Sequence, residues 1–308
     1  MEKFDWKTPI KINILKLKAV GLWPHKTYKL NLYTLWAAIS FICIISAHNI
    51  FQAINIIFLL DDLKAVTSII FLNLSELLGM LKAYYLFRNM AILKQLMLTL
   101  NSDIFQPKNQ QQQELIEPNL KLWRLNYVVY WGMSLGAVFF WIAVPVLDKS
   151  VKNWQLPFSA WYPFDTKVSP NYEITYLYQA IGVIFVAIST LGVDTLIAAL
   201  TMYIGAQLDL LCDNLKHLRS KNFEAEFFKC IEHHKQMLEF ADNATKFFNW
   251  IVFFQFFISA TSIGITMFQM TVVVPMSGEF MSLVSFELAI VVEIFMYCWF
   301  ANEVMEKV

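Results

Sequence analysis

Residues 174–204 read ITYLYQAIGVIFVAISTLGVDTLIAALTMYI, and Asp194 is the one charged residue in that run. Roughly 20 mostly apolar residues suffice for a helix to cross a bilayer, so the stretch reads as a membrane span. Working outward, five more apolar runs lie near Leu32–Leu59, Leu63–Phe87, Leu125–Leu147, Phe247–Met270 and Phe280–Phe300. Asp61 and Asp62 leave room only for a tight hairpin between the first two. The first run starts well inside the chain and lacks an A-x-A-like cleavage site, so it is not a signal peptide.

Composition agrees. The 308 residues are 57% hydrophobic and 16% charged, against about 25% charged in ordinary soluble domains. With 27 Phe, 10 Trp and 12 Tyr, too little polar surface remains to coat a water-soluble globule. Four cysteines are too sparse for a disulfide scaffold, and the hydrophobicity excludes disorder. Twenty-four basic residues balance 24 acidic ones, so there is no overall field to attract nucleic acid. The expected fold is an all-α, polytopic transmembrane bundle. It has a leader at 1–31, six spans within 32–300 and a short end at 301–308.

Lysine and arginine placement sets the expected orientation. Lys3, Lys7, Lys11, Lys16, Lys18, Lys26 and Lys29 precede the first span, and Arg88, Lys94, Lys108, Lys121 and Arg124 separate spans two and three. Lys216, Arg219, Lys221, Lys229, Lys235 and Lys246 separate spans four and five. The alternate loops hold only Lys64, Lys149, Lys152 and Lys167. Eighteen basic residues against four predict a cytoplasmic N-terminus. That is the inverse of G-protein-coupled receptors.

Between the spans, Ile10–Trp23 mixes Lys11, Lys16 and Lys18 with apolar residues and reads as a basic amphipathic segment at the cytoplasmic interface. Gln110–Gln113 reads as a polar linker. Leu208, Leu211, Leu215 and Leu218 form one stripe, and Phe227, Ile231, His234 and Leu238 another. Both mark helical extensions around 206–246 projecting into the cytoplasm. They are either a private helix pair or an inter-subunit contact. The outer loop Asp148–Tyr172 carries Trp154, Phe158, Trp161, Tyr162 and Phe164, suited to an interfacial belt or to capping a cavity.

No H-E-x-x-H, G-x-S-x-G, P-loop or CxxC motif appears, so neither an enzyme, a metal site nor a cofactor is expected. Cys230, His233 and His234 lack further ligands and read as solvated. Charged groups inside the spans are costly and should face the bundle or water. They are Glu76 and Lys82 in span two, Asp194 in span four, and Glu287 and Glu293 in span six; His48 joins them from span one. Lys82, near the cytoplasmic end, can snorkel. Glu76 and Lys82 suit structural pairing, and Asp194 and Glu293 suit pairing or a wet cleft.

Three stretches belong together: Val20-Gly21-Leu22-Trp23-Pro24; Leu156-Pro157-Phe158-Ser159-Ala160-Trp161-Tyr162-Pro163-Phe164-Asp165 with Tyr176-Leu177-Tyr178-Gln179; and Tyr297-Cys298-Trp299-Phe300-Ala301-Asn302-Glu303. In these the chain resembles the insect odorant receptor family. The resemblance implies seven spans, a cytoplasmic N-terminus and a ligand-gated cation channel formed as a heterotetramer with an olfactory co-receptor in the olfactory neuron's dendritic membrane. It also implies a seventh, pore-lining helix. The sequence stops at Val308, so a truncated product or partial sequence is expected. A gustatory-type receptor and a non-gating transporter are the alternatives.

The resemblance further implies an odorant cavity among spans two, three, four and six. Odorants are small and mostly apolar, so a dry cavity with few polar anchors suits them. Helical spacing nominates Ser134, Ala137, Val138 and Trp141 on span three, Thr67, Ile70 and Phe71 on span two, and Tyr178, Ile181 and Phe185 on span four. The competing reading of such small-residue stripes is helix packing, and Gly132 and Gly136 make a G-x-x-x-G step in the same span.

Overall fold

The computed structural model describes residues 4–23, 31–218 and 222–308. Lys3, Pro24, Lys26, Lys29, Arg219 and Lys221, used above, lie outside them. Eight helices carry the fold: α1 (Lys11–Ala19), α2 (Leu32–Phe58), α3 (Leu63–Arg88), α4 (Met90–Leu100), α5 (Gln110–Leu147), α6 (Asn171–Lys216), α7 (Phe223–Val272) and α8 (Gly278–Lys307). All but α1 and α4 are long and apolar enough to cross a membrane, six candidate spans among the described residues.

The helix starts have local causes. Asn31, Asp62, Asn109 and Ser277 each accept a backbone N–H from the first turn of α2, α3, α5 and α8, satisfying donors that a helix start leaves orphaned. The Asn109 cap corrects the reading of Gln110–Gln113 as a linker. Glutamine is a good helix former, so once Asn109 supplies the cap these residues are the first turn of α5. Residues 40–46 of α2 widen into a π-helical stretch.

α6 is the hub. It packs against α1, α2, α3, α5, α7 and α8, and residues 191–200 are buried without a break. At 46 and 50 residues, α6 and α7 run about 70 Å or more at 1.5 Å per residue, far beyond the roughly 30 Å of a bilayer core. Both continue past the lysine-rich end of the bundle. α1 docks there: Asn13 donates to the Gly192 carbonyl at 2.8 Å, and Leu17 lies so close that a Cβ at Gly192 would sit 2.6 Å from it. Lys16 lies over the Trp131 ring at 3.3 Å and bonds the Tyr127 hydroxyl at 3.0 Å.

Candidate functional site: two chambers and a buried ionic cluster

Four of the five charged groups inside the spans organise the bundle; the fifth, Glu287, has both carboxylate oxygens buried without a hydrogen-bond partner among the described residues. Lys82 is fully buried and reaches Asp194 at 2.6 Å and Glu293 at 2.9 Å. Tyr130 and Tyr297 donate to the two Asp194 oxygens at 3.0 and 2.8 Å. One cation thus ties α3, α6 and α8, with α5 contributing a hydroxyl. Lys82 does not snorkel: its stem is enclosed by helices on all sides, and two carboxylates meet its ammonium inside. Glu76 pairs elsewhere, with His48 at 2.9 Å and Gln52 at 3.0 Å from α2. Every partner is a charged or hydrogen-bonding group, as burial of a charge demands.

Above this cluster, on the side away from the lysines, lies an inner chamber of about 140 Å³. Its floor includes Glu293, Tyr130 and Glu76. Leu72 and Ser75 of α3, Ser134, Ala137, Val138 and Trp141 of α5, Val183, Val186, Ala187, Thr190 and Leu191 of α6, and Phe286, Ala289 and Ile290 of α8 form the walls. Phe158, from the loop between α5 and α6, completes the lining. The volume is on the scale of an apolar cavity that holds benzene, about 150 Å³. Among the described residues, the Ser134 Oγ, Thr190 Oγ1 and Trp141 Nε1 atoms are buried without a hydrogen-bond partner, and all three residues line this chamber. A second, outer chamber of about 390 Å³ sits among Gln52, Ser68, Asp148, Gln155, Gln269 and Glu279 at the loop end.

The nominated residues divide. Ser134, Ala137, Val138 and Trp141 line the inner chamber, and Trp141 and Phe71 line the outer one. Phe71 packs on Trp141 and Phe286 at 6.2 and 5.1 Å between ring centroids. Thr67 lines neither; it bonds Gln269 on α7 at 2.9 Å. Ile70, partly buried, lines neither. Tyr178, Ile181 and Phe185 line neither chamber and lie on another face of α6: Tyr178 donates to the Cys43 carbonyl on α2, Phe185 packs on Trp36, and Ile181 is exposed. The difference in phase has a simple origin. At about 100° per residue, Ile181 and Phe185 point roughly opposite to Val183, which faces the chamber.

Sequence reasoning missed the α6 wall, yet a signal was present. A charge in a span must face inward, and Thr190, Ala187, Val186 and Val183 stack turn by turn on the side of Asp194. The α8 wall and Phe158 followed from no spacing rule. At the lysine-rich end, His233 is buried and bonded to Gln207 at 2.9 Å, not solvated. Burial lowers its pKa to about 4, helped by nearby Lys108 and His234.

Fold and chambers together define a multi-pass helical membrane protein with an apolar chamber lined by four of its spans. A family model described as the seven-transmembrane odorant receptor matches residues 63–308, so the chain belongs to the seven-transmembrane odorant receptor family. Odorant receptor Or1 of Anopheles gambiae is 21% identical across 98% of this chain and 80% of its own length. Odorant receptor 83a of Drosophila melanogaster is 34% identical over 33% of this chain and 21% of its own. The solved structure of the olfactory receptor OR5 from Machilis hrabei superposes with a TM-score of 0.86 at 18% identity, covering 99% of this chain and 82% of that one. The same receptor in complex with eugenol gives 0.85 at 18% identity, over the same shares of the two chains. The chain is therefore a multi-pass membrane protein of a receptor family, not an enzyme.

Proposed function

We propose that this chain recognises small, mostly apolar volatiles in the inner chamber and, assembled with a co-receptor subunit, biases the opening of a cation channel. The observation that carries the reading is the lining itself. Buried hydroxyls and indole N–H groups normally find partners, and an unpaired one costs about 1–3 kcal/mol. Ser134, Thr190 and Trp141 leave three such groups around one apolar space. A ligand with an apolar body and one oxygen acceptor satisfies at least one of them while its remaining surface is buried by Val138, Val186, Phe286 and Ile290. Affinity from that burial scales at roughly 25 cal/mol per Å², which gives modest affinity and broad tuning.

Gating then follows from population shift. The ligand opens the channel only if it binds the open arrangement more tightly than the closed one. The chamber floor is one with the Lys82–Asp194–Glu293 cluster, which joins three spans, so a change in chamber shape reaches the lysine-rich end directly. On this reading the lysine-rich end faces the cytoplasm, and the exposed Phe227, Phe228, Ile231 and Leu238 of α7 serve assembly there.

The test is a ligand panel on cells expressing this sequence within its full-length receptor and a co-receptor, with eugenol, the ligand named in the OR5 complex, as one probe. Trp141→Ala is expected to reorder ligand preference at unchanged surface level, because it removes both a wall and a donor. An unchanged response spectrum contradicts the assignment of the chamber.

A further inference from the structure

The two chambers meet at one aromatic pair. Leu72, Trp141 and Phe158 border both, and the Trp141 and Phe158 rings stack at 5.9 Å with 21° between their planes. The stacked pair stands on the border between the outer chamber and the inner one. Trp141 is fixed in the body of α5. Phe158 stands in an irregular loop, so something else must hold it.

That something is one side chain. Gln179, completely buried on the third turn of α6, accepts the Phe158 N–H through Oε1 at 3.0 Å and donates Nε2 to the Phe158 carbonyl at 2.8 Å. The same Nε2 reaches the Tyr162 hydroxyl at 3.1 Å. The amide pairs with both polar groups of one residue, as a neighbouring β-strand would. Without it, the Phe158 N–H and C=O would be buried and unpaired, a state that proteins avoid. The loop would have to lift to reach water. Trp161 N–H to the Phe51 carbonyl at 3.0 Å, Asn55 to Ser159 at 2.9 Å and the Tyr172 hydroxyl to the Gln155 carbonyl at 2.7 Å hold its flanks, and the Phe158 ring meets His48 edge-on at 5.7 Å, while the Phe158 main chain is held by Gln179.

We infer that Gln179 is a positioning residue for ligand access, holding Phe158 against Trp141 as a door between the chambers. The inference rests on the inner-chamber reading above. Gln179 does not line the inner chamber, so it governs how fast a molecule arrives and leaves more than how well it fits.

The experiment reads access without needing a response. In the full-length receptor with Cys43, Cys212, Cys230 and Cys298 replaced, Ser134→Cys places a reporter thiol in the inner chamber. Its modification rate is measured with a small neutral reagent, hydroxyethyl methanethiosulfonate, added to intact cells. Gln179→Leu is expected to raise that rate about tenfold, in keeping with the loss of more than one hydrogen bond. Gln179→Glu keeps the acceptor for Phe158 N–H and loses the donor, and is expected to fall between. Phe158→Ala removes the door with the clamp intact and is expected to raise the rate at least as much. A second reporter, Thr201→Cys on the far part of α6, should keep its rate in all three. Unchanged rates at position 134 in both Gln179→Leu and Phe158→Ala overturn the inference, and so does an equal rise at position 201, which would mean general loosening. Failure of the chamber reading looks different: ligand preference would ignore Trp141→Ala while the thiol rates still followed Gln179.

Discussion

Lys82 shows how much a single side chain can decide in a lipid-facing protein. Its ammonium is shared between Asp194 and Glu293, and two tyrosine hydroxyls complete the Asp194 shell. Replacing a buried ion pair wholesale by apolar groups is often tolerated, but removing one partner strands the other charges and costs about 3–5 kcal/mol. Lys82→Met is therefore expected to destabilise the bundle by that amount, because two carboxylates would face each other without a cation. Thermal unfolding in detergent checks it. A double change, Lys82→Met with Asp194→Asn, should recover part of the loss. The presence of these charges was legible in the sequence, but their pairing was not. Lys82 and Glu293 lie 211 positions apart, and no local rule connects them.

At the scale of elements, legibility followed asymmetry. α5 carries Ser134, Ala137 and Trp141 in an apolar run, and those irregular residues line the inner chamber. α6 is apolar on every side along its central turns, so hydrophobicity carried no phase, and the nominated Tyr178, Ile181 and Phe185 lie on a face other than the one that lines the inner chamber. Only Asp194 encoded the inward direction. The extensions of α6 and α7 hold a second, testable element. His233 is buried beside Phe105 and donates its Nε2–H to Gln207 Oε1, and its pKa is lowered to about 4. A histidine held neutral by the fold contributes stability fully above its unfolded value of about 6.5, and that contribution fades as pH falls towards 4. The melting temperature should therefore drop between pH 6.5 and 4. His233→Gln should flatten that slope, and an unaltered slope in the variant would contradict the assignment.

For the whole molecule, the composition and the long apolar runs carried most of the architecture. Six spans, their approximate limits and the all-helical class were all readable, because a bilayer demands long apolar runs with their backbone bonds satisfied internally. What composition does not encode is how the helices turn towards one another. The two chambers, the α8 wall and the clamp on Phe158 depend on that. The lysine asymmetry leads to one further expectation. An epitope tag before Met1 should be inaccessible to antibody on intact cells and accessible after permeabilisation. Staining of intact cells would reverse the proposed orientation and place the chambers on the cytoplasmic side.

The central claim is that the inner chamber is where the ligand sits. Cryo-electron microscopy of the assembled receptor with a bound agonist such as eugenol examines it most directly. The expected density lies between Ser134, Trp141, Val186 and Thr190, beneath Phe158, with an oxygen within hydrogen-bond reach of at least one of the three unpaired groups. An empty chamber alongside ligand density elsewhere in the bundle would contradict the account.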